Sequence, residues 1–172
     1  DSGDAECFSF YEATLLIDRN AGTICEILLP SEMALLPDGC ELEDVGDAVV
    51  MPGLVDPHAH LCSGRKRWEG FASGTQAAAA GGITTLMDMP TRCTPLTSSA
   101  ELLEQKMAQA SGNLWTDCGF YGGVGPENID EVEGMLQAGA VGLVCYFTPS
   151  EPGTFAVPTD QETLAKLMEL MA

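Results

Sequence analysis

The chain has little histidine, little basic charge and no long apolar run, and each shortage excludes something. Only two histidines, His58 and His60, occur in 172 residues, so the chain alone cannot build a site that needs several imidazoles. Lys and Arg number 7 against 26 Asp and Glu, which gives a formal net charge of -19 and a sequence pI of about 4.1. Phosphate backbones and anionic headgroups repel such a surface, which argues against nucleic acid or membrane as partner. Up to Asp47 the single basic residue is Arg19. That acidic stretch reads as a solvated face, with a dock for a basic partner surface as the sharper alternative. No apolar run approaches the roughly 18 residues of a membrane span, and no signal peptide is visible. Asp1 opens the chain without a Met, which leaves room for a leader ahead of it.

Cysteine is present but unpaired in pattern. Cys7, Cys25, Cys40, Cys62, Cys93, Cys118 and Cys145 make an odd count with no C-x-x-C spacing. This excludes a zinc ribbon, a thioredoxin-like motif and a disulfide scaffold, and points to reduced thiols in a cytoplasmic compartment.

What is there is concentrated between Val49 and Pro90. An apolar run, Val49 to Val55, leads into Asp56-Pro57-His58-Ala59-His60. Side chains alternate faces along a strand, so His58 and His60 project the same way, one pleat apart. Two imidazoles on one face at a strand end are a natural pair of metal ligands, although a lone His-x-His is a weak signal. A helix is predicted from Glu69 to Ala80, stopped by Gly81-Gly82, and a second strand from Ile83 to Met89. Strand, helix, strand is a βαβ unit, and in parallel α/β folds the carboxyl ends of strands carry the sites.

The alternation continues. Ser98-Ser99-Ala100-Glu101 has the form of a capping box and opens a helix to about Ala110, with Leu102, Leu103, Met107 and Ala110 as its apolar stripe. Leu114 to Tyr121 is a third strand, closed by Gly122-Gly123. Pro126 begins a helix to Gln137, Val141 to Phe147 is a fourth strand, and Thr159-Asp160-Gln161-Glu162 caps a last helix, Gln161 to Ala172. Ahead of all this, residues 1–50 read as short β-rich pieces, Phe8 to Ile17, Thr23 to Leu29 and a run into Val49 and Val50, separated by turn signals. Two regions result: a β-rich segment over 1–50, and about four βα units over 51–172.

The motifs PGLVDPHAH (52–60), RWEGF (67–71), TQAAAAGGITTLMDMP (75–90) and GFYGGVGPENI (119–129) resemble the cyclic amidohydrolases, relatives of dihydroorotase and dihydropyrimidinase. Within that group they are most similar to the allantoinases, for which Trp68-Glu69-Gly70-Phe71 and Asp88-Met89-Pro90 are characteristic. The resemblance implies an α/β fold, the N-terminal part of a TIM-barrel amidohydrolase preceded by a small β-sandwich. A complete barrel usually takes about 250 residues, so a chain of this length is expected to be a fragment or a shortened relative. The implied activity is hydrolysis of a cyclic amide, allantoin to allantoate, in purine catabolism.

The resemblance also implies a metal site with two zinc ions. His58 and His60 match the ligands of the first barrel strand. The lysine that bridges both ions in the family falls on Val144, which can neither be carbamylated nor bind metal. The later histidines and the aspartate that moves the proton have no counterpart here. Asp56 is a candidate to orient a histidine or satisfy backbone. Cys62 could face the same way as His60, although a loop cysteine is the simpler account. Arg65 stands in a loop that approaches substrate in the family, here about one residue shorter. Asp88, at the second strand's end, is expected at the barrel mouth as a solvated carboxylate, and Arg92 follows in a loop lacking the family's asparagine. Half a barrel leaves its first and fourth strands as open edges, so a homo- or hetero-oligomer is expected. A non-catalytic subunit that keeps the fold, as the collapsin-response-mediator proteins do, is the alternative reading.

Overall fold

The computed structural model describes residues 11–61, 69–148, 155 and 161–170. They fall into two compact units that divide between Met51 and Pro52.

In the first unit, β1 (Thr14–Asp18) and β2 (Thr23–Leu28) pair antiparallel with a register shift at Leu16/Ile17. The turn is built by Asp18. Its Oδ1 accepts the N–H groups of Asn20 and Ala21 at 2.8 and 3.0 Å, and its carbonyl accepts Gly22 N–H at 2.8 Å. An Asp satisfying its own turn in this way is the usual reason for its place there. A 3₁₀ turn, Pro30–Leu35, follows. The described residues form one two-stranded sheet here, and Val49 and Val50 are not in a strand. The expected sandwich is therefore not what these residues make by themselves. A hairpin has one ladder and no second layer to bury its other face.

The second unit is a parallel four-stranded sheet in the order β3 (Leu54–Ala59), β4 (Ile83–Asp88), β5 (Asp117–Gly123), β6 (Gly142–Val144). Helix α1 (Gly70–Ala80) links β3 to β4, α2 (Ala100–Ala110) links β4 to β5, α3 (Val132–Gln137) links β5 to β6, and α4 (Gln161–Leu170) follows. The first strand lies later than its apolar run suggests. Val49 to Gly53 stay outside it, and Pro57 sits inside it. Proline lacks the N–H a ladder needs, and the β3–β4 register shifts between Asp56 and Ala59.

The core collects Leu61, Phe71 of α1, Leu86 of β4, Leu103 and Ala110 of α2, Phe120 of β5 and Val132, Met135 and Leu167 from the later helices. Phe71 and Phe120 meet edge to face at 5.9 Å. Helix α1 forms because four alanines carry high helix propensity, and it ends where Gly82 takes φ +83°. It comes close to the β3 exit because Gly74 has no side chain; a Cβ there would run into Leu61 Cδ2.

Two helix expectations need correction. The cap of α2 is Ser99, whose Oγ accepts Leu102 N–H at 3.3 Å, so Ser98 and Glu101 form no box. Its buried face is Leu103, Lys106 and Ala110, while Met107 is 37% exposed. Pro126 does not start a helix either. Asn128 folds that loop, accepting Gly125 N–H at 2.8 Å and donating to Ser98 and Gly123 carbonyls at 2.7 and 2.9 Å. A 3₁₀ turn, Ile129–Glu131, then precedes α3. The capping box at Thr159 and Asp160 lies outside the described residues.

Candidate metal-binding site

The strand period decides which way each candidate points. Ala59 packs against the core and Leu61 is part of it, so the odd-numbered residues at the end of β3 face the helices. His58 and His60 therefore face the opposite side of the sheet. Their ring centroids are 5.3 Å apart in an edge-on arrangement. His58 is exposed and His60 half-buried. Asp56 Oδ1 accepts the backbone N–H of His58 at 3.0 Å, which ties down the chain just ahead of the first ring.

His60 is held more firmly. Its Nδ1 lies 3.2 Å from the carbonyl oxygen of Thr91, just past the end of β4. A carbonyl can only accept, so this bond puts the proton on Nδ1 and the lone pair on Nε2. Burial lowers the His60 pKa below 6.5, and the nearby His58 and Arg92 push the same way, against the Thr91 bond and Asp88. The ring is thus neutral at physiological pH, the state in which imidazole donates to a metal. Arg92 itself is exposed and adopts φ 58°, a left-handed conformation unusual outside glycine. Thr91 is 2% exposed, and its hydroxyl shares a 3.1 Å hydrogen bond with the Tyr146 hydroxyl beyond β6.

Asp88 is not the solvated carboxylate expected at the mouth. It shares a face of β4 with the core residue Leu86 and is fully buried. Its Oδ1 accepts Leu61 N–H at 2.6 Å, and its Oδ2 pairs with the ammonium of Lys106. Lys106, 4% exposed, also donates to the Met89 carbonyl at 2.9 Å and the Thr97 hydroxyl at 3.3 Å. The correction has a simple cause: strand alternation turns residue 88 toward α2, where a lysine replaces an apolar residue on the buried stripe.

Val144 ends β6, half-buried, with its carbonyl accepting Val124 N–H at 2.9 Å. Burial raises the thiol pKa of its neighbour Cys145. Burial, and then the nearby Asp88 carboxylate, pushes Cys118 up to about 12. These two thiols stay protonated, and a thiol must lose its proton to bind metal. Cys62 and Arg65 lie outside the described residues. Among the described residues, no group of three His, Cys, Asp or Glu side chains could hold a metal ion together. The histidine pair therefore fits as two ligands of a centre whose others come from elsewhere, since a catalytic zinc uses three protein ligands and a water. Lys106, Thr91, Asn128 and Tyr146 are the residues that sequence reasoning missed. Of these only Lys106 left a signal, its spacing of three from Leu103 and four from Ala110.

A model of the amidohydrolase family matches residues 49–168. The chain belongs to the amidohydrolase family. Within it, the chain is 43% identical over 153 residues to the allantoinase of Streptomyces avermitilis, covering 88% of this chain and 34% of that protein. It is 53% identical over 111 residues to the probable allantoinase of Oryza sativa subsp. japonica, covering 62% of this chain and 22% of the relative. Among solved structures, the L-hydantoinase (dihydropyrimidinase) from Arthrobacter aurescens superposes with a TM-score of 0.71 at 31% identity, over 91% of this chain and 34% of that one. The chain spans about a fifth to a third of the length of these relatives.

Proposed function

We propose that this chain carries one part of the barrel of an allantoinase-like cyclic amidohydrolase, with His58 and His60 as its share of a zinc site. The observation that carries the reading is the pair itself: two imidazoles on the open face at the end of β3, 5.3 Å apart, with His60 held with its lone pair on Nε2. Similarity to allantoinases supports the substrate class, a five-membered cyclic amide of the hydantoin type. Zinc, when bound, polarises the amide carbonyl and lowers the pKa of a coordinated water. In the net reaction the water oxygen bonds to the carbonyl carbon, the ring C–N bond breaks, and the departing nitrogen takes a proton. This chain's part is to present the two imidazoles, keep His60 oriented through Thr91 and hold Arg92 beside the site. The ligand that the family's lysine would provide and the proton-transfer group have no counterpart among the described residues. Val144 cannot supply the first. The β1–β2 hairpin fits as part of the sandwich that accompanies such barrels, and the apolar residues around the open edges, among them Leu54 and Val141, fit an assembled state.

Zinc competition titration and allantoate release test the reading. The 172-residue chain alone is expected to bind zinc weakly and to leave allantoin intact. His58→Ala should lower that zinc affinity about tenfold or more. Zinc binding that is indifferent to His58→Ala and His60→Ala would remove the basis of the assignment.

A further inference from the structure

Behind the histidine pair lies a buried polar cluster that the reaction scheme does not use. Asp88 and Lys106 are 0% and 4% exposed, and charges so buried are retained only where their partners are well satisfied. The partners here are specific. Asp88 Oδ1 holds Leu61 N–H at 2.6 Å, and Leu61 is the residue directly after His60. Lys106 Nζ holds the Met89 carbonyl at 2.9 Å, two residues before Thr91. Thr91 supplies the carbonyl that fixes the His60 ring at 3.2 Å. Lys106 also reaches Thr97 at 3.3 Å, and Thr97 N–H in turn bonds the Pro90 carbonyl at 3.1 Å. One ion pair thus grips both segments that meet at His60, the exit of β3 that carries the ring and the exit of β4 that orients it.

We propose that Asp88 and Lys106 are positioning residues for His60, setting the ring's tautomer and aim through two backbone anchors. Neither group touches the metal or substrate in this scheme. The inference deepens the zinc-site reading and rests on it for its functional meaning. Its structural content, that the pair sets the state of the His60 ring, stands by itself. A purely stabilising pair would hold the sheet against α2 with no particular bearing on residue 60. The placement of its hydrogen bonds, one residue from His60 and two from its acceptor, argues otherwise.

The test compares two double variants of this chain, each removing both charges so that neither is left buried alone. Asp88→Ala/Lys106→Met deletes both anchors, while Asp88→Asn/Lys106→Met keeps an oxygen for Leu61 N–H. Nitrogen-15 NMR reads the His60 tautomer without metal, and zinc competition reads affinity. The expected order on both readouts is wild type, then the Asn-containing double variant, then the Ala-containing one. Zinc affinity should fall about 10–100-fold at the far end, the range seen when groups that orient a ligand are removed. Folded variants with a wild-type Nδ1–H signature and lower melting temperatures would overturn the proposal. Should the Ala-containing variant fail to fold, the other decides: a signature and affinity equal to wild type overturn the proposal, and a partial loss supports it. Failure of wild type itself to bind zinc would sink the zinc-site reading, while the tautomer comparison would still decide the positioning role.

Discussion

The two units differ in how many of their apolar side chains they bury, since the hairpin shuts away only Leu28 to the level of the βα core. In the hairpin, Ile17, Ile24 and Ile27 remain 54%, 60% and 51% exposed. In the βα unit, Leu86, Leu103, Val124, Val132 and Met135 are shut away to 1% or less. Propensity does not separate them, since β1 and β2 are good strand sequences. The difference is a second layer. Helices cover one face of the parallel sheet, whereas among the described residues the two antiparallel strands have only the Pro30–Leu35 turn against them, where Thr14 meets Met33 and Leu28 is buried. The same contrast holds for charge. Arg19 and Glu41 meet at 3.1 Å with side chains 76% and 78% exposed, while Lys106 and Asp88 meet with almost no solvent contact. An exposed pair of the first kind is screened and contributes little. The buried pair is costly to break from one side.

The largest break in this comparison should come from Lys106→Met. It strands a buried carboxylate and is expected to destabilise the βα unit by about 3–5 kcal/mol in urea unfolding. Arg19→Ala in the hairpin should leave the same curve unmoved. Removing Asp88's charge together with the lysine should return most of the loss, and no recovery would mean that the pair's charges are not the issue. Next in size, Leu103→Ala should cost about 2–5 kcal/mol through an unfilled core position. Ile24→Ala, on the bare hairpin, should stay within about 0.5 kcal/mol. Equal effects would show that exposure does not distinguish the units. The smallest effect concerns pH. The folded-state pKa of His60 lies below the value of 6.5 it has unfolded, so the unfolded chain takes up protons first. Stability should therefore decline as pH falls from about 6.5 through the folded pKa, then level off. His60→Gln should flatten that part of the profile.

Much of the βα alternation was legible because apolar runs and Gly stops mark it directly. The histidine pair was legible for the same reason, since a period of two needs no tertiary information. Boundaries were less so. β3 begins at Leu54 because pairing with β4 begins there, and no property of Val49 announces that. Asp88 was misread because a carboxylate at a strand end looks alike on either face until the helix opposite is known. Lys106, 18 positions further along, decides it, and a lysine on an amphipathic helix ordinarily reads as solvated. Thr91 acts through its carbonyl, which every residue possesses, so its side chain could not advertise the role. Tyr146 depends on where β6 stops, and β6 is three residues long.

Pro57 gives the sheet one more property. Among the described residues β3 lies at the margin of the sheet, and a strand there offers its backbone to any extended segment that drifts past. Pro57 contributes no N–H in the middle of that strand, at the point where the register with β4 shifts between Asp56 and Ala59. The two strands are therefore joined least tightly beside the first imidazole, and the pair of rings sits on a stretch of strand that its neighbour leaves some freedom.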